Sequence, residues 1–270
     1  MDPTLSGGLI ATAVRERHRE LTDNVANLEA DALCGPSRLP RWDRLTIICH
    51  LRYGALASHR LTDAALTGRE AAYYPQGRQQ QRPATLRPAD GESMADVVAS
   101  FTRHSQRLDE AWATVSDEQW PITIREPPGN QDLGPVTLGT IALLRLTEVE
   151  VHGHDLDLGL SPWSETFVAA ALPMRLQWLP TRRSNHHATN QTIDATWLLA
   201  TTGGPDFLVR AQCSKVEVSA TENGADADAT ISGTARQLLA FILGREPLDK
   251  LTVGGDIAVA HSFLAAFPAP

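Results

Sequence analysis

Residues 141–160 read IALLRLTEVEVHGHDLDLGL, and the reading of this stretch decides the fold. Set on a helix, Glu148 and His152 stand four residues apart, one above the other on the same face. Arg145 precedes them by about a turn on that face, and Asp155 follows by nearly a turn. A carboxylate and an imidazole so placed can share a divalent metal, with a third ligand supplied from elsewhere. The candidate for that third ligand is His50, in the stretch DRLTIICHL. A second pair with the same spacing, Glu150 and His154, falls on a different face. The same i,i+4 spacing also describes an exposed pair worth only about 0.2–0.5 kcal/mol. Spacing alone leaves both readings open.

Upstream of this stretch the pattern is helical. Leu9, Ile10, Val14, Leu21, Val25 and Leu28 recur at helical spacing and predict one amphipathic helix over Gly7–Leu33. His18 lies near its apolar face, where a histidine is more often packed than ligating. A Gly/Pro connection follows, and Asp43 then fits an N-cap with Trp42 before it as a staple. The second helix is predicted from Arg44 to Thr67. Ile47, His50, Leu51, Ala55 and His59 share one side of it, so His50 leans inward. Residues 68–91 are expected to form a long loop containing Tyr73, Tyr74, Arg78, Arg82 and Arg87, either a carboxylate-binding element or a solvated, Gln-rich tether. A third helix is predicted over Ser93–Val115 and a fourth over Thr137–Leu158, with a short extended piece at Ile122–Ile124. Four helices with one long crossing loop make a bundle, and bundle cores commonly house metals.

The periodicity changes after Gly159. A helix over Ser164–Leu179, bent near Pro173, is followed by alternating runs at Thr192–Ala200, Asp206–Gln212, Lys215–Thr221 and Asp228–Ser232. Turns are expected at Gly203-Gly204-Pro205 and Asn223-Gly224. Thr234 caps a helix over Ala235–Leu243, Leu251–Val253 is a last short strand, and Asp256 opens a helix to Phe267. The fold class is therefore α+β. Residues 1–160 form a helical bundle, and residues 161–270 a small unit with a mostly antiparallel sheet.

Composition narrows the function. The 270 residues carry a formal net charge of −8, which argues against a broad nucleic-acid surface. No apolar run is long enough to span a bilayer and the start does not resemble a signal peptide, so a cytoplasmic protein without membrane partners is expected. The cysteines are Cys34, Cys49 and Cys213, at spacings that match no zinc pattern. Cys49 is expected to be a small buried hydrophobe.

These segments together resemble the mycothiol-dependent maleylpyruvate isomerases, within the DinB-like group of metal-binding four-helix bundles. LPRWDRLTIICHL is similar to that family's LPGW segment and the following helix with its first metal histidine. RLTEVEVHGHDL resembles the helix with the pattern R-x-x-E-V-x-(V/I)-H-x-x-D-L. RLDEAW followed by SDEQW is similar to the third helix and its exit. ATISGTARQLLAFILGRE resembles the small C-terminal, sterol-carrier-like domain. The resemblance implies His50, Glu148 and His152 as ligands of a divalent metal, with zinc expected. It sets Glu150 and His154 aside. It implies an arginine of the long loop in catalysis and in binding the cofactor, with Arg82 the first match and Arg78 the alternative. Arg145 and Asp155 match the motif's arginine and aspartate. Arg145 is also grouped with the cofactor-binding arginines, and both are read as orienting groups.

The chemistry so implied is mycothiol-dependent. A metal lowers a thiol's pKa, and the thiolate attacks an electrophilic carbon. Addition, rotation and elimination isomerise a cis double bond, whereas displacement of a leaving group transfers the thiol. The Gln- and Arg-rich loop departs from the isomerase pattern, so thiol transfer or exchange on a small electrophile is the first expectation and maleylpyruvate isomerisation the alternative. A non-catalytic protein that binds a lipid or another small molecule is the reading of a different class.

Overall fold

The computed structural model describes residues 5–180, 193–213, 215–221 and 225–269. Helix α1 spans Gly7–Ala26, with the Ser6 side chain accepting from Leu9 N. The single helix expected to reach Leu33 is divided. Asn27 closes α1, its amide side chain donating to Asp23 O at 2.7 Å, and Ala30–Leu33 form a separate turn, α2. A short polar side chain that bonds nearby backbone competes with helix continuation.

Helix α3, Arg44–Leu66, begins where Asp43 Oδ1 accepts from Thr46 N at 2.7 Å, the cap read from the sequence. The expected loop over 68–91 instead contains a helix, α4, at Arg78–Thr85. Gly77, at φ 82°, turns the chain into it. The Gln/Arg run has good intrinsic helix propensity, and Pro83 sits late enough to interrupt only the last turn. Helix α5 covers Met94–Ala113 behind a capping box in which Ser93 and Asp96 satisfy each other's backbone N–H groups. The extended piece at 122–124 is present as a bridge between Thr123 and Thr137. Its bonds from Ile124 N to Val136 O and from Leu138 N to Ile122 O fix the entry to α6, Leu138–Asp155.

Helices α1, α3, α5 and α6 form the bundle. α1 packs on α5 and α6, and α3 packs on the same two. Its interior holds Val14, Leu21, Ile47, Leu51, Leu61, Val97, Phe101, Leu108, Leu146 and Val149, each fully buried. Burial of each such side chain contributes about 1.5–3 kcal/mol before chain entropy is counted.

Contacts divide the chain into Met1–Phe167 and Val168–Pro270. Helix α7, Glu165–Gln177, runs through Pro173 without being interrupted there. Five strands follow: β1 Ala195–Thr201, β2 Asp206–Gln212, β3 Lys215–Thr221, β4 Ala229–Gly233 and β5 Thr252–Gly255. Their order is β3-β2-β1-β4-β5, with β1 and β4 parallel and the other pairs antiparallel. Helix α8, Ala235–Ile242, carries the Thr234 cap and lies in the connection between the antiparallel neighbours β4 and β5. Asp256 caps helix α9, Ile257–Ala266. Trp197 anchors this second unit, its ring against Phe263 and Phe267 and its indole N–H donating to Val259 O at 2.7 Å. The turn expected at Asn223-Gly224 lies outside the described residues. No described helix is long and apolar enough to cross a membrane.

The Asp43 cap sets where α3 starts, and with it the direction of His50 two turns on. Asp43→Ala is expected to lower unfolding free energy by about 1 kcal/mol. Urea denaturation checks this, and a midpoint equal to wild type would show the cap to be idle.

Candidate functional site

Helices α3 and α6 lie side by side and bring His50, Glu148 and His152 together. His50 Nε2 stands 3.9 Å from Glu148 Oε1, and the two imidazole rings meet edge to face with centroids 4.9 Å apart. Trp42, one residue before the α3 cap, stacks on His152 at 5.9 Å and meets the His50 ring edgewise at 5.6 Å. Arg82, from α4, carries its guanidinium carbon 5.8 Å from the Trp42 ring centre. Arg78 faces elsewhere, over the Tyr74 ring at 5.8 Å. Both separations lie within cation–π range. The two arginines stand one turn apart on the same side of α4, and that step along the helix puts Arg82 at the aromatic wall of the cluster and Arg78 at the Tyr53–Tyr74 stack.

Glu148 is held from two sides. Tyr73 OH donates to Oε1 at 3.2 Å and Arg145 Nη1 to Oε2 at 3.1 Å. Gly54 of α3 lies directly beneath. A β-carbon there would come within 2.5 Å of Glu148 Oε2 and 2.6 Å of Arg145 Nη1. A mid-helix glycine costs about 1 kcal/mol relative to alanine. The close approach of these two side chains accounts for it. His152 donates from Nδ1 to Asp155 Oδ2 at 3.0 Å, which leaves Nε2 as the ring's lone-pair nitrogen. Asp155 is itself buried. Arg145, grouped with the cofactor-binding arginines in the sequence reading, has a side chain with 0% exposure. Its donors are engaged by Glu148 and by His18 Nε2, so it braces the carboxylate from within.

The electrostatics follow from this enclosure. Burial pushes His50 down to about 4, so it is a neutral imidazole at neutral pH. Burial alone would raise the Glu148 carboxyl, but the neighbouring His50 and Arg145 bring it below the ordinary glutamate value. Because His50 is uncharged above pH 4, the fixed charge of Arg145 sustains that carboxylate. Burial, with Glu148 alongside, pushes the Tyr73 phenol well above its ordinary value, so it acts as a neutral donor.

Two imidazoles and one carboxylate are a donor set for zinc and its neighbours in the first transition row. Among the described residues no group of three His, Cys, Asp or Glu side chains already stands in a metal-holding arrangement. Two ligands at 2.0–2.1 Å on a tetrahedral ion stand about 3.3 Å apart, and His50 and Glu148 are wider than that at 3.9 Å. The residues fit the group in chemistry, in the carboxylate behind His152 and in the cradle over Gly54. His50 Nδ1 is buried with no hydrogen-bond partner among the described residues.

The second i,i+4 pair separates. Glu150 points away and accepts from Arg17 and from Ser164 Oγ, whereas exposed His154 meets Arg38. Cys49 is fully buried, and burial raises its thiol to about 11, which makes it a packing residue. Two parts of the site had no motif to mark them, whereas Trp42 fell in the LPRW segment and was also read as a staple. Tyr73 was legible only as a loop aromatic, and Gly54 was not singled out. That glycine was the available signal, since a conformationally costly residue in a helix interior marks a close approach.

The architecture is thus a helical bundle with a His/Glu/His cluster, joined to a small sheet domain. The mycothiol maleylpyruvate isomerase N-terminal domain matches residues 14–157. That is more than half of the chain, and the chain belongs to this family. In fold it is similar to the crystal structure of the mycothiol-dependent maleylpyruvate isomerase, with a TM-score of 0.66 and 18% identity, over 94% of this chain and 95% of that one. It is equally similar to a histidine-to-alanine variant of that enzyme, with a TM-score of 0.65, 18% identity and the same coverage. The comparison with curated proteins finds no match.

Two outcomes are expected. Gly54→Ala drives its methyl into Glu148 and Arg145. It should abolish high-affinity uptake of Co(II) by the apoprotein in a visible-absorption titration, if the cradle is what aims the carboxylate. Wild-type affinity would count against it. The second concerns pH. Above pH 6.5, His50 is neutral in folded and unfolded chains alike. As pH falls from 6.5 towards 4, the unfolded chain takes up a proton that the folded chain does not, so stability declines across that window. The loss attributable to His50 is of order 3 kcal/mol. Urea denaturation in chelator across that window, with His50→Gln as the flattened control, measures it.

Proposed function

We propose that this chain is a mycothiol-using enzyme that isomerises a small cis-unsaturated acid of the maleylpyruvate type. The observation that supports it most is the His50–Glu148–His152 cluster, walled by Trp42 and reached by Arg82, in a chain of this family. The family's description and the solved relatives favour isomerisation over the transfer or exchange of thiol expected first from the Gln- and Arg-rich segment. Part of that segment is helix α4, which carries Arg82 to the cluster, a placement that suits either chemistry.

His50, Glu148 and His152 would hold a divalent metal. Such an ion, when bound, lowers the pKa of a thiol so that the thiolate is available near neutral pH. The chain's own residues supply the remainder. Asp155 keeps the lone pair of His152 on Nε2, and Arg145 with Tyr73 keeps Glu148 ionised and aimed. Trp42 screens one side of the cluster from water. Arg82 offers a permanently charged fork that fixes a carboxylate of the substrate or of the thiol by two parallel hydrogen bonds. The substrate's double bond accepts the thiol sulfur at one carbon, turns about the bond that has become single, and re-forms trans as the sulfur departs. The thiol is returned unchanged, which separates isomerisation from transfer.

The test combines purified protein, mycothiol and maleylpyruvate, with product and free thiol both quantified. Trans product with no net thiol loss supports the proposal. Stoichiometric thiol loss with a thioether product supports transfer. No reaction in either sense, with a hydrophobic ligand still bound after metal removal, supports the binding-protein reading. Arg82→Lys, which retains charge but loses the fork, is expected to lower kcat/KM by about 10²-fold through misplacement of the reacting carbon. Arg78→Lys should leave it unchanged, and the reverse pattern would move the role to Arg78.

A further inference from the structure

Behind the cluster a chain of polar groups crosses the bundle interior. Asp109 of α5 meets His18 Nδ1 at 2.7 Å. His18 Nε2 lies 3.2 Å from Arg145 Nε and 3.0 Å from Arg145 Nη2. Arg145 Nη1 then donates to Glu148 Oε2 at 3.1 Å. His18 is 2% exposed and Arg145 1%. Three helices, α1, α5 and α6, each contribute a link. The sequence reading left His18 as a packed histidine, and the proposed reaction makes no use of it.

The chemistry of the links fixes the hydrogens. Guanidinium has donors and no acceptor, so the nitrogen that faces it must offer a lone pair. His18 Nε2 is therefore unprotonated. Nδ1 then carries the hydrogen and donates it to the Asp109 carboxylate. The neutral Nδ1–H tautomer satisfies both neighbours at once. Burial together with the Arg145 charge also keeps the imidazole from taking a second proton.

We propose that His18 is a positioning residue for the site. Held as the Nδ1–H tautomer by Asp109, it clamps Arg145 from behind and so directs Glu148 towards His50 and His152. This rests on the reading of Glu148 as a metal-holding carboxylate. A neutral acceptor suits the position better than a carboxylate would. A second acid at residue 18 would compete for the guanidinium's charge, whereas imidazole restrains its orientation and leaves the charge facing Glu148. Arg145 and Glu148 sit only three residues apart on one helix, and an i,i+3 pair by itself holds neither side chain firmly. A clamp from another helix removes that freedom.

The experiment titrates Co(II) into full-length apoprotein and follows visible absorption, with thermal unfolding recorded for every variant. His18→Leu removes the acceptor and is expected to weaken Co(II) binding about 10–100-fold, whereas His18→Gln, whose side-chain oxygen can accept from Arg145, should stay within about threefold of wild type. Rescue by glutamine is the feature that packing alone does not produce. If both variants lose thermal stability but keep wild-type Co(II) affinity, the proposal is overturned. Should His18→Leu fail to fold, Asp109→Leu replaces it. That variant frees the tautomer, and unchanged affinity in it overturns the proposal equally. Two-bond ¹H–¹⁵N spectra of the imidazoles supply an arm that needs no metal. A His18 ring protonated at Nδ1 alone supports the proposal, and one protonated at Nε2 overturns it. A wild type that takes up no Co(II) overturns the metal reading and with it the positioning role, whereas the tautomer spectrum reports the Asp109–His18–Arg145 link separately, so the two failures are told apart.

Discussion

The interaction on which the rest of the site depends is the placement of one carboxylate, Glu148, in the bundle interior. A carboxylate that is only about a quarter exposed still needs compensation from fixed charge and hydrogen bonds. Arg145 supplies the charge at 3.1 Å and Tyr73 a hydroxyl at 3.2 Å. Those partners reach it only because Gly54 leaves room on α3. Arg145 in turn is buried and requires acceptors of its own, which draws His18 and then Asp109 into the core. One ionised group thereby determines polar residues on α1, α5 and α6 and a glycine on α3.

The same helix manages a second buried acid by a separate route. Glu150 sits at 1% exposure with Arg17, and Ser164 and the Trp163 indole bond to its carboxylate and its carbonyl respectively. α6 thus presents Glu148 to one side and Glu150 to another, two residues apart and each with its own arginine. Keeping the two carboxylates on different faces avoids a like-charge pair in low dielectric, which would force one of them to take up a proton. It also explains why two identical i,i+4 patterns in one stretch come to such different ends. His152 shares a face with Glu148 and is backed by Asp155, whereas His154 is directed to the exposed Arg38.

The outer wall of the site is made by elements that contribute little to the bundle core. Trp42 lies just before α3, Tyr73 in the connection after it, and Arg82 on the short helix α4. Their arrangement depends on contacts between distant segments, such as Tyr53 OH donating to Tyr73 O and Asn130 to Tyr74 O. The connection is also held by an apolar cluster of Tyr53, Ala57 and Tyr74, against which Tyr73 packs.

Much of the molecule was legible in the chain itself. Period 3.6 before Gly159 and alternation after it separated a bundle from a sheet, and β2 and β3 begin and end at the residues the alternation marked. Capping residues at Asp43, Ser93, Thr137, Thr234 and Asp256 set helix starts, because a side-chain acceptor beside unpaired N–H groups acts locally. The spacing of Glu148 and His152 on α6, and the inward lean of His50 on α3, were equally local. Only the tertiary structure decided the rest. The Gln/Arg run was taken for loop, because proline and length argued one way and propensity the other, and packing against α3 settled it. Arg82 was ranked before Arg78 only by resemblance, and the structure sets the one beside Trp42 and the other beside Tyr74. The link from Asp109 through His18 to Arg145 joins residues far apart in the chain. No spacing rule reaches across three helices, and only their packing shows which polar groups must satisfy one another.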